Sequence, residues 1–108
     1  MLRYQNRADS VIVYLQGEID HCAVAKQRNE IEKLIKAPNV RNLTLDFSQV
    51  SFMDSSGVGM IIGRYKTISA KGGCVYATGL HPPVDRLFYM AGLHRIIITE
   101  NTERRENA

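Results

Sequence analysis

Residues 43–65, LTLDFSQVSFMDSSGVGMIIGRY, constrain the fold more than any other stretch of this chain. Apolar residues alternate with polar ones at its start, as in a half-buried strand, and recur at helical spacing in its second half. We therefore predict a strand over 42–47 and a helix over 56–70, joined by a polar loop. A strand followed closely by a helix is the repeating unit of α/β folds.

The loop and the helix of this stretch both carry apolar residues that a core would bury. From the loop, which starts at residue 48, we expect three residues to pack onto the sheet: Val50, Phe52 and Met53. From the helix we expect a buried stripe at helical spacing: Val58, Ile61, Ile62, Tyr65 and Ile68.

Three glycines interrupt the predicted helix: Gly57, Gly59 and Gly63. Each costs about 1 kcal/mol of helix stability relative to alanine. A sequence that accepts this cost indicates a close approach at the first turns of the helix. The neighbour is either another element of the same fold or the surface of a partner.

The segments on both sides of this stretch alternate in the same way. Further strands are predicted over 2–6, 10–16, 74–78 and 95–99. One further helix follows Asp20, a good N-cap, and ends before Pro38. Another opens at Pro82 and stops at Gly92.

The resulting order β-β-α-β-α-β-α-β predicts an α/β fold with a mixed sheet covered by helices. The first two strands are close enough in sequence for a hairpin, and the second and third are predicted to be parallel because a helix connects them. The 108 residues fit one domain over 1–108, in which the polar residues 101–108 form a frayed tail or a short helix.

Composition and charge argue against several classes of function. The formal net charge is only +3 and the cations are spread along the chain, unlike the basic face of a nucleic-acid binder. No run approaches the ~20 apolar residues that span a bilayer, and the N-terminus lacks the apolar core of a signal peptide. We therefore expect a cytoplasmic protein that contacts neither nucleic acid nor membrane directly.

Cysteine and histidine spacing predicts neither a disulfide nor a metal site. Cys22 and Cys74 stand 52 positions apart and are expected to be unpaired, small hydrophobic residues of the core. Together with His21, His81 and His94 they match no zinc-binding pattern. We expect no metal and no cofactor.

Asp54, Ser55 and Ser56 stand at the start of the predicted helix, where unpaired N–H groups favour a phosphate. A serine nucleophile there could draw on His81 and Asp20, but the sequence G-x-S-x-G is absent. We therefore do not expect an enzyme. Simple helix capping remains the alternative to a functional role.

A nucleotide-binding role has weaker support. Gly57-Val58-Gly59 follows a strand and opens a helix, as in a dinucleotide fingerprint. The third glycine of that fingerprint would fall at position 62, where the chain has Ile62, with the glycine displaced to Gly63. The phosphate-binding sequence G-x-x-x-x-G-K-[ST] is also absent.

Residues 51–66, SFMDSSGVGMIIGRYK, closely resemble the phosphoacceptor segment of the anti-sigma factor antagonists, a branch of the STAS-domain family. Within that branch they are most similar to the sporulation-type antagonist. Gly17-Glu18-Ile19-Asp20 resembles the family's turn after the second strand, and 83–88 with 91–93 resemble its third helix and helix stop. The resemblance covers about residues 10–100.

The resemblance implies a regulator that works by partner switching. In the family, the unphosphorylated antagonist binds an anti-sigma factor that is also a serine kinase, and the sigma factor is released. The kinase phosphorylates the serine after the aspartate, here Ser55 with Ser56 as the minor alternative, and a serine phosphatase reverses this. The residues implied in partner binding are Glu18, Asp20, Asp54, Ser55, Ser56, Gly57 and Gly59. The free protein is expected to be monomeric.

Two alternatives stay open. The chain could be a general-stress antagonist of the same family, or a STAS scaffold that binds a nucleotide or anion without covalent modification. Two segments of the chain depart from the family pattern. His21-Cys22 occupies a variable site, and residues 101–108 lack the apolar residues of a packed terminal helix.

Overall fold

Five β-strands and three α-helices alternate along residues 2–99, the part of the chain that the structure, a computed structural model, describes. This is the predicted order of elements. In chain order they are β1 (Arg3–Arg7), β2 (Ser10–Ile19), α1 (His21–Ile35), β3 (Asn42–Met53), α2 (Ser55–Ala70), β4 (Val75–Thr78), α3 (Pro82–Met90) and β5 (Ile98–Thr99), with a 3₁₀ turn at Leu93–Arg95 before β5.

The strands form one mixed sheet in the order β1-β2-β3-β4-β5. β1 pairs antiparallel with β2, as predicted for a hairpin, and each later neighbour pairs in parallel. A helix connects each parallel pair, and every connection steps the same way across the sheet. Because such crossovers are right-handed, the three helices lie on one face.

The core lies between this face and the helices. Alternate residues of β2 and β3 are fully buried: Val11, Val13, Leu15, Leu43, Leu45 and Phe47. The helices contribute Ile31, Ile35, Ile61, Ile68, Val84 and Phe88. The rings of Phe47 and Phe88 meet edge to face, with centroids 5.4 Å apart. This contact holds α3 against β3.

β3 is longer than predicted, so the loop expected from residue 48 is wrong. The strand continues to Met53 because its second half pairs with residues 16–19 of β2, through two register irregularities. Successive side chains of a strand point to opposite faces, so Met53 is buried while Phe52 is 50% exposed. The register irregularity between Val50 and Phe52 lets Val50 point inward as well. Val50 and Met53 pack inward as expected, but the expected burial of Phe52 is wrong.

α2 buries only part of its predicted stripe. The helix begins at Ser55, one residue earlier than predicted. Ile61 and Ile68 are fully buried, as expected, whereas the other three residues of the stripe are partly buried against the core. Met60, which the predicted stripe left out, is buried as well. The inward face of α2 is therefore rotated toward Met60.

The two cysteines are unpaired, as expected, but neither belongs to the core. Cys22 lies in the first turn of α1 and Cys74 directly precedes β4, and both are exposed. The expectation of core cysteines is therefore wrong, because both positions fall at the ends of elements, where the chain meets the surface.

The C-terminal part of the described chain differs from expectation in one respect. β5 spans only residues 98–99, because the 3₁₀ turn at 93–95 occupies the start of the predicted strand. Gly92 follows the end of α3 in the left-handed conformation, with φ of 77°, which agrees with the helix stop predicted at this glycine. The predicted tail over 101–108 lies outside the described residues. Within residues 2–99 no helix is long and apolar enough to cross a bilayer.

Polar contacts fix α2 against α1. The Nε atom of Arg64 lies 2.7 Å from the Oε1 atom of Glu32, and the Thr67 hydroxyl donates to Oε2 of the same carboxylate at 3.1 Å. At the far end of α2, the Lys71 ammonium donates to three backbone carbonyls just at and after the end of α1. These belong to Ile35 at 2.5 Å, Ala37 at 3.0 Å and Val40 at 2.6 Å.

Lys71 therefore satisfies the Ile35 carbonyl, which the end of α1 leaves unpaired, and ties the segment after α1 to the end of α2. We expect Lys71→Met to lower the free energy of unfolding by about 1.5–3 kcal/mol, the usual contribution of hydrogen bonds to a charged group. Urea denaturation measures this. Lys66→Met, at an exposed position of the same helix, is the matched control and should change stability by less than about 0.5 kcal/mol. Equal effects of the two substitutions would contradict the capping role.

Candidate functional site

The carboxyl ends of β2 and β3 lie side by side. Ile19 is in register with Met53, and the Asp54 N–H donates to the Ile19 carbonyl at 3.2 Å. The residue after each strand is an aspartate, Asp20 after β2 and Asp54 after β3. The two aspartates, and the helices that follow them, therefore start at the same edge of the sheet. Segments that follow the strands of a rigid scaffold commonly carry binding residues.

Each aspartate caps the helix that follows it. The Asp20 Oδ1 atom accepts hydrogen bonds from the N–H groups of Cys22 at 3.1 Å and Ala23 at 3.0 Å. The Asp54 Oδ1 atom accepts one from the N–H of Ser56 at 2.9 Å. These bonds satisfy N–H groups that the helices leave unpaired. The predicted capping role of Asp20 is confirmed, and Asp54 has the same role.

The two serines in the first turn of α2 differ in accessibility. Ser55, the first residue of the helix, is exposed, and no residue of the described chain hydrogen-bonds with its hydroxyl. Ser56 is partly buried, and Asp54 holds its backbone. A second protein therefore reaches the hydroxyl of Ser55 more easily than that of Ser56.

The glycines of α2 have different surroundings. Gly57 is buried, and a Cβ atom there would lie 2.5 Å from Cγ of Met53 and 3.1 Å from Cγ2 of Ile19. The predicted close approach is confirmed at Gly57, and the neighbour is the chain's own sheet. At Gly59 and Gly63 a Cβ atom would meet nothing within 4 Å. The fold does not require glycine at these two positions, so a partner surface is the alternative that stays open for them.

Phe52 is a residue of this region that the sequence analysis did not place in the site. It is in register with Glu18 at the same edge of the sheet, and its side chain is half exposed. An exposed phenylalanine beside carboxylates offers a partner an apolar side chain whose full burial contributes about 1.5–3 kcal/mol. The signal in the sequence was the pair Phe52-Met53, of which only one can point inward if the strand continues.

Six residues at this edge form what we call the candidate functional surface: Glu18, Asp20, Phe52, Asp54, Ser55 and Ser56. The structure thus brings together five of the predicted partner-binding residues, with Gly57 packed beneath them and Gly59 on the next turn of α2. The surface offers three carboxylates, an accessible hydroxyl and an aromatic ring.

The serine nucleophile that the sequence analysis considered and rejected gains no support from His81. The ring of His81, the base considered from the sequence, donates from Nε2 to the backbone carbonyl of Ser48 at 2.8 Å. A serine nucleophile needs a base within hydrogen-bond reach of its hydroxyl. The chemistry of the candidate functional surface therefore suits binding and acceptance of a phosphate better than hydrolysis.

Comparison with known proteins identifies the family. The STAS domain family matches residues 2–106, so the chain belongs to the STAS-domain family. The anti-sigma F factor antagonist of Paenibacillus polymyxa is 40% identical over 87 residues, which cover 81% of this chain and 74% of that protein. The anti-sigma-B factor antagonist of Listeria monocytogenes is 30% identical over 99 residues, which cover 92% of this chain and 86% of that protein.

The fold is also shared with a solved antagonist. The structure is similar to that of the anti-sigma factor antagonist SpoIIAA in its unphosphorylated form, with a TM-score of 0.81, 30% sequence identity and coverage of 99% of this chain and 94% of that one. These similarities confirm the resemblance carried by residues 51–66 and the prediction of a single STAS domain. The antagonists named here are regulatory proteins rather than enzymes.

The contrast between the two glycines gives a direct test of the geometry. We expect Gly57→Ala to destabilise the fold by about 1–3 kcal/mol, because the methyl group overlaps Met53. We expect Gly59→Ala to stabilise it by up to about 1 kcal/mol, because alanine favours helix and meets no neighbour. Denaturant unfolding of the two variants measures both. Gly59→Ala that destabilised as much as Gly57→Ala would show that α2 packs differently.

Proposed function

We propose that this chain is an anti-sigma factor antagonist controlled by phosphorylation of Ser55. Its unphosphorylated form binds an anti-sigma factor that is also a serine kinase, and the sigma factor is thereby released. The observation that carries the proposal is the exposed Ser55 hydroxyl at the start of α2, in a segment that resembles the family's phosphoacceptor segment. The relatives named above support the assignment to antagonists.

Phosphorylation at Ser55 is compatible with the fold. A phosphoserine carries a charge of about −1.5 to −2 at neutral pH. Ser55 is exposed and begins α2, where the helix dipole and unpaired N–H groups favour negative charge. The phosphate can therefore form without displacing core residues. A solved Bacillus SpoIIAA in its phosphorylated form shares this fold with a TM-score of 0.73 and 29% identity, which supports the same conclusion.

The phosphate instead weakens the complex with the partner. Glu18, Asp20 and Asp54 already make the candidate functional surface acidic, so it suits a partner with a basic surface. A complex that covers Ser55 removes water from a hydroxyl in the unphosphorylated protein, but from a phosphate in the phosphorylated protein. Desolvating a phosphate costs far more unless cations receive it. Phosphorylation therefore ends binding without a large change of shape.

Two uncharged features of the region favour close contact with the partner. Phe52 offers an apolar ring of the kind that dominates the energy of many protein interfaces. Gly59 and Gly63, one turn apart on α2, lack side chains although the fold leaves room for them. The backbone of a partner can therefore approach the helix closely beside Ser55. No element of the fold packs closely against Gly59 and Gly63, so we assign that close contact to the partner.

We further infer that the chain controls a sporulation sigma factor. The supporting observation is that the matched anti-sigma F factor antagonists are 40% and 34% identical, whereas the matched anti-sigma-B factor antagonists are 28–33% identical. A general-stress antagonist is the alternative. In either case we propose a cytoplasmic protein, monomeric when free, that a serine phosphatase restores to the binding form and that needs no cofactor, nucleic acid or membrane.

Intact-protein mass spectrometry tests the switch. We expect incubation with ATP and a candidate anti-sigma factor kinase from the same organism to add one phosphate to the wild-type chain. Ser55→Ala should abolish the addition, and Ser56→Ala should retain it, because Ser56 is the less accessible of the two hydroxyls. The phosphorylated protein should melt within about 3 °C of the unmodified protein. Its affinity for the kinase should fall on the order of a hundredfold.

Each failure of this experiment has its own meaning. Phosphate added to Ser55→Ala but not to Ser56→Ala would move the site to Ser56. No phosphate on the wild-type chain, with a kinase active on another substrate, would favour the STAS scaffold that binds a nucleotide or anion, which calorimetry with the isolated domain then detects. A phosphorylated form that binds the kinase as tightly as before would refute the proposed mechanism.

The role of Phe52 in binding is tested separately. We expect Phe52→Ala to weaken kinase binding about tenfold or more, the effect of removing an aromatic anchor from an interface. Stability should change by less than about 1 kcal/mol, because the ring is already half exposed. Met90→Ala is the control, since Met90 is 77% exposed at the end of α3, the helix that leads away from this edge. Surface plasmon resonance with both variants would show whether the loss is specific to Phe52.

A further inference from the structure

The second half of β3 projects beyond β4 in the sheet. β4 pairs with β3 only from Leu43 to Asp46, whereas β3 continues to Met53. Residues 49–53 pair with β2 on one side, and no strand of the described chain pairs with them on the other. Gly79 follows β4 in the left-handed conformation, with φ of 68°, so β4 does not continue beside them. We call this side of residues 49–53 the open edge of β3.

Side chains take the place of a neighbouring strand at Ser48, just before the open edge. The His81 ring donates from Nε2 to the Ser48 carbonyl, and the Ser48 N–H donates to Oδ1 of Asp46, both at 2.8 Å. From residue 49 onward, the backbone groups that point away from β2 face the open edge. Backbone N–H and C=O groups require hydrogen-bond partners, which water or a further strand supplies there.

The open edge of β3 lacks the residues with which proteins commonly protect sheet edges. β1, at one side of the sheet, carries Arg3 and Arg7 among its five residues, and β5, at the other side, has only two residues. Residues 49–53, QVSFM, contain neither a charge nor a proline. Charges, prolines and short edge strands are the usual obstacles to pairing with another chain. The open edge of β3 therefore suits the addition of a strand from a second protein.

The surroundings of the open edge set the charge of the segment that fits it. Residues 42–63 contain two aspartates, Asp46 and Asp54, but no lysine or arginine. Glu18, in register with Phe52, adds a third carboxylate, and the half-exposed Phe52 ring adds apolar surface. An extended segment with basic side chains is therefore complementary to this edge in charge.

We propose that a basic, extended segment of the partner kinase adds as a strand to the open edge of β3. This rests on the proposed function, because the kinase is the protein that must reach Ser55. Backbone hydrogen bonds to residues 49–53 hold the segment, and its basic side chains lie near Glu18 and Asp54. The open edge ends two residues before Ser55, so the added strand fixes the kinase beside the hydroxyl that it phosphorylates.

NMR spectroscopy of the complex tests the added strand directly. The antagonist chain carries ¹⁵N, a candidate anti-sigma factor kinase from the same organism carries ¹³C, and a non-hydrolysable ATP analogue keeps Ser55 unmodified. We expect a through-hydrogen-bond coupling from at least one amide of residues 49–53 to a kinase carbonyl, and slower hydrogen exchange of the same amide. Slower exchange without any such coupling would show that the kinase merely covers the edge, and would overturn the proposal.

Two matched variants locate the added strand. Gln49→Lys, at an exposed position of the open edge, should weaken kinase binding about tenfold, because it places a like charge beside the basic segment. Asn6→Lys makes a similar change at an exposed position of β1 and should leave the affinity unchanged. Both variants should melt within about 3 °C of the wild-type chain. Equal weakening by the two variants would overturn the proposal.

Failure of the strand and failure of the proposed function give different results. A kinase that binds the chain and phosphorylates Ser55, but shows no coupling to residues 49–53, would refute the added strand alone. A kinase, active on another substrate, that neither binds nor phosphorylates the chain would refute the proposed function and the added strand together.

Discussion

The parallel pairing of β2 with β3 is the constraint on which the rest of the structure depends. It sets Ile19 beside Met53, so the aspartate after each strand arrives at the same edge. Because the side-chain period of a strand is two, a slip of one residue would send Met53 outward and Phe52 inward. The register irregularities between Tyr14 and Glu18 let β2 follow the longer β3 to the point where both end. The candidate functional surface is a consequence of that common end.

Local chemistry made part of this arrangement predictable. Asp20 and the Pro82-Pro83 pair mark helix starts through their own bonding preferences, and Gly92 marks a stop through its left-handed conformation. The parallel pairing followed from the helix between the two strands, since a crossover cannot leave them antiparallel neighbours in a tight hairpin. Features decided within a few residues, or by the order of elements, were therefore accessible from the sequence.

Features decided by distant contacts were not. Residues 48–51, with two serines and a glutamine, have the composition of a loop, but the backbone of β2 supplies the hydrogen-bond partners that extend β3 through them. The side of the sheet that Phe52 occupies follows only from that extension. Gly57 and Gly59 are equivalent in sequence, and only the position of Met53 separates the crowded one from the open one. The sequence alone indicated that something packs closely against the start of α2, but not which glycine contacts the chain's own sheet.

In the first turn of α2, some residues stabilise the fold and others are available for the binding role that we propose. Asp54 and Gly57 bond or pack toward the sheet, whereas Ser55 and Gly59, four residues apart on the helix, share the open side. A modification on the open side changes what the surface presents but removes no contact from the core. A ligand or partner shifts an equilibrium only by its differential affinity for the two states. In the switch that we propose, the two states differ in charge rather than in shape, so no second conformation of the fold is required.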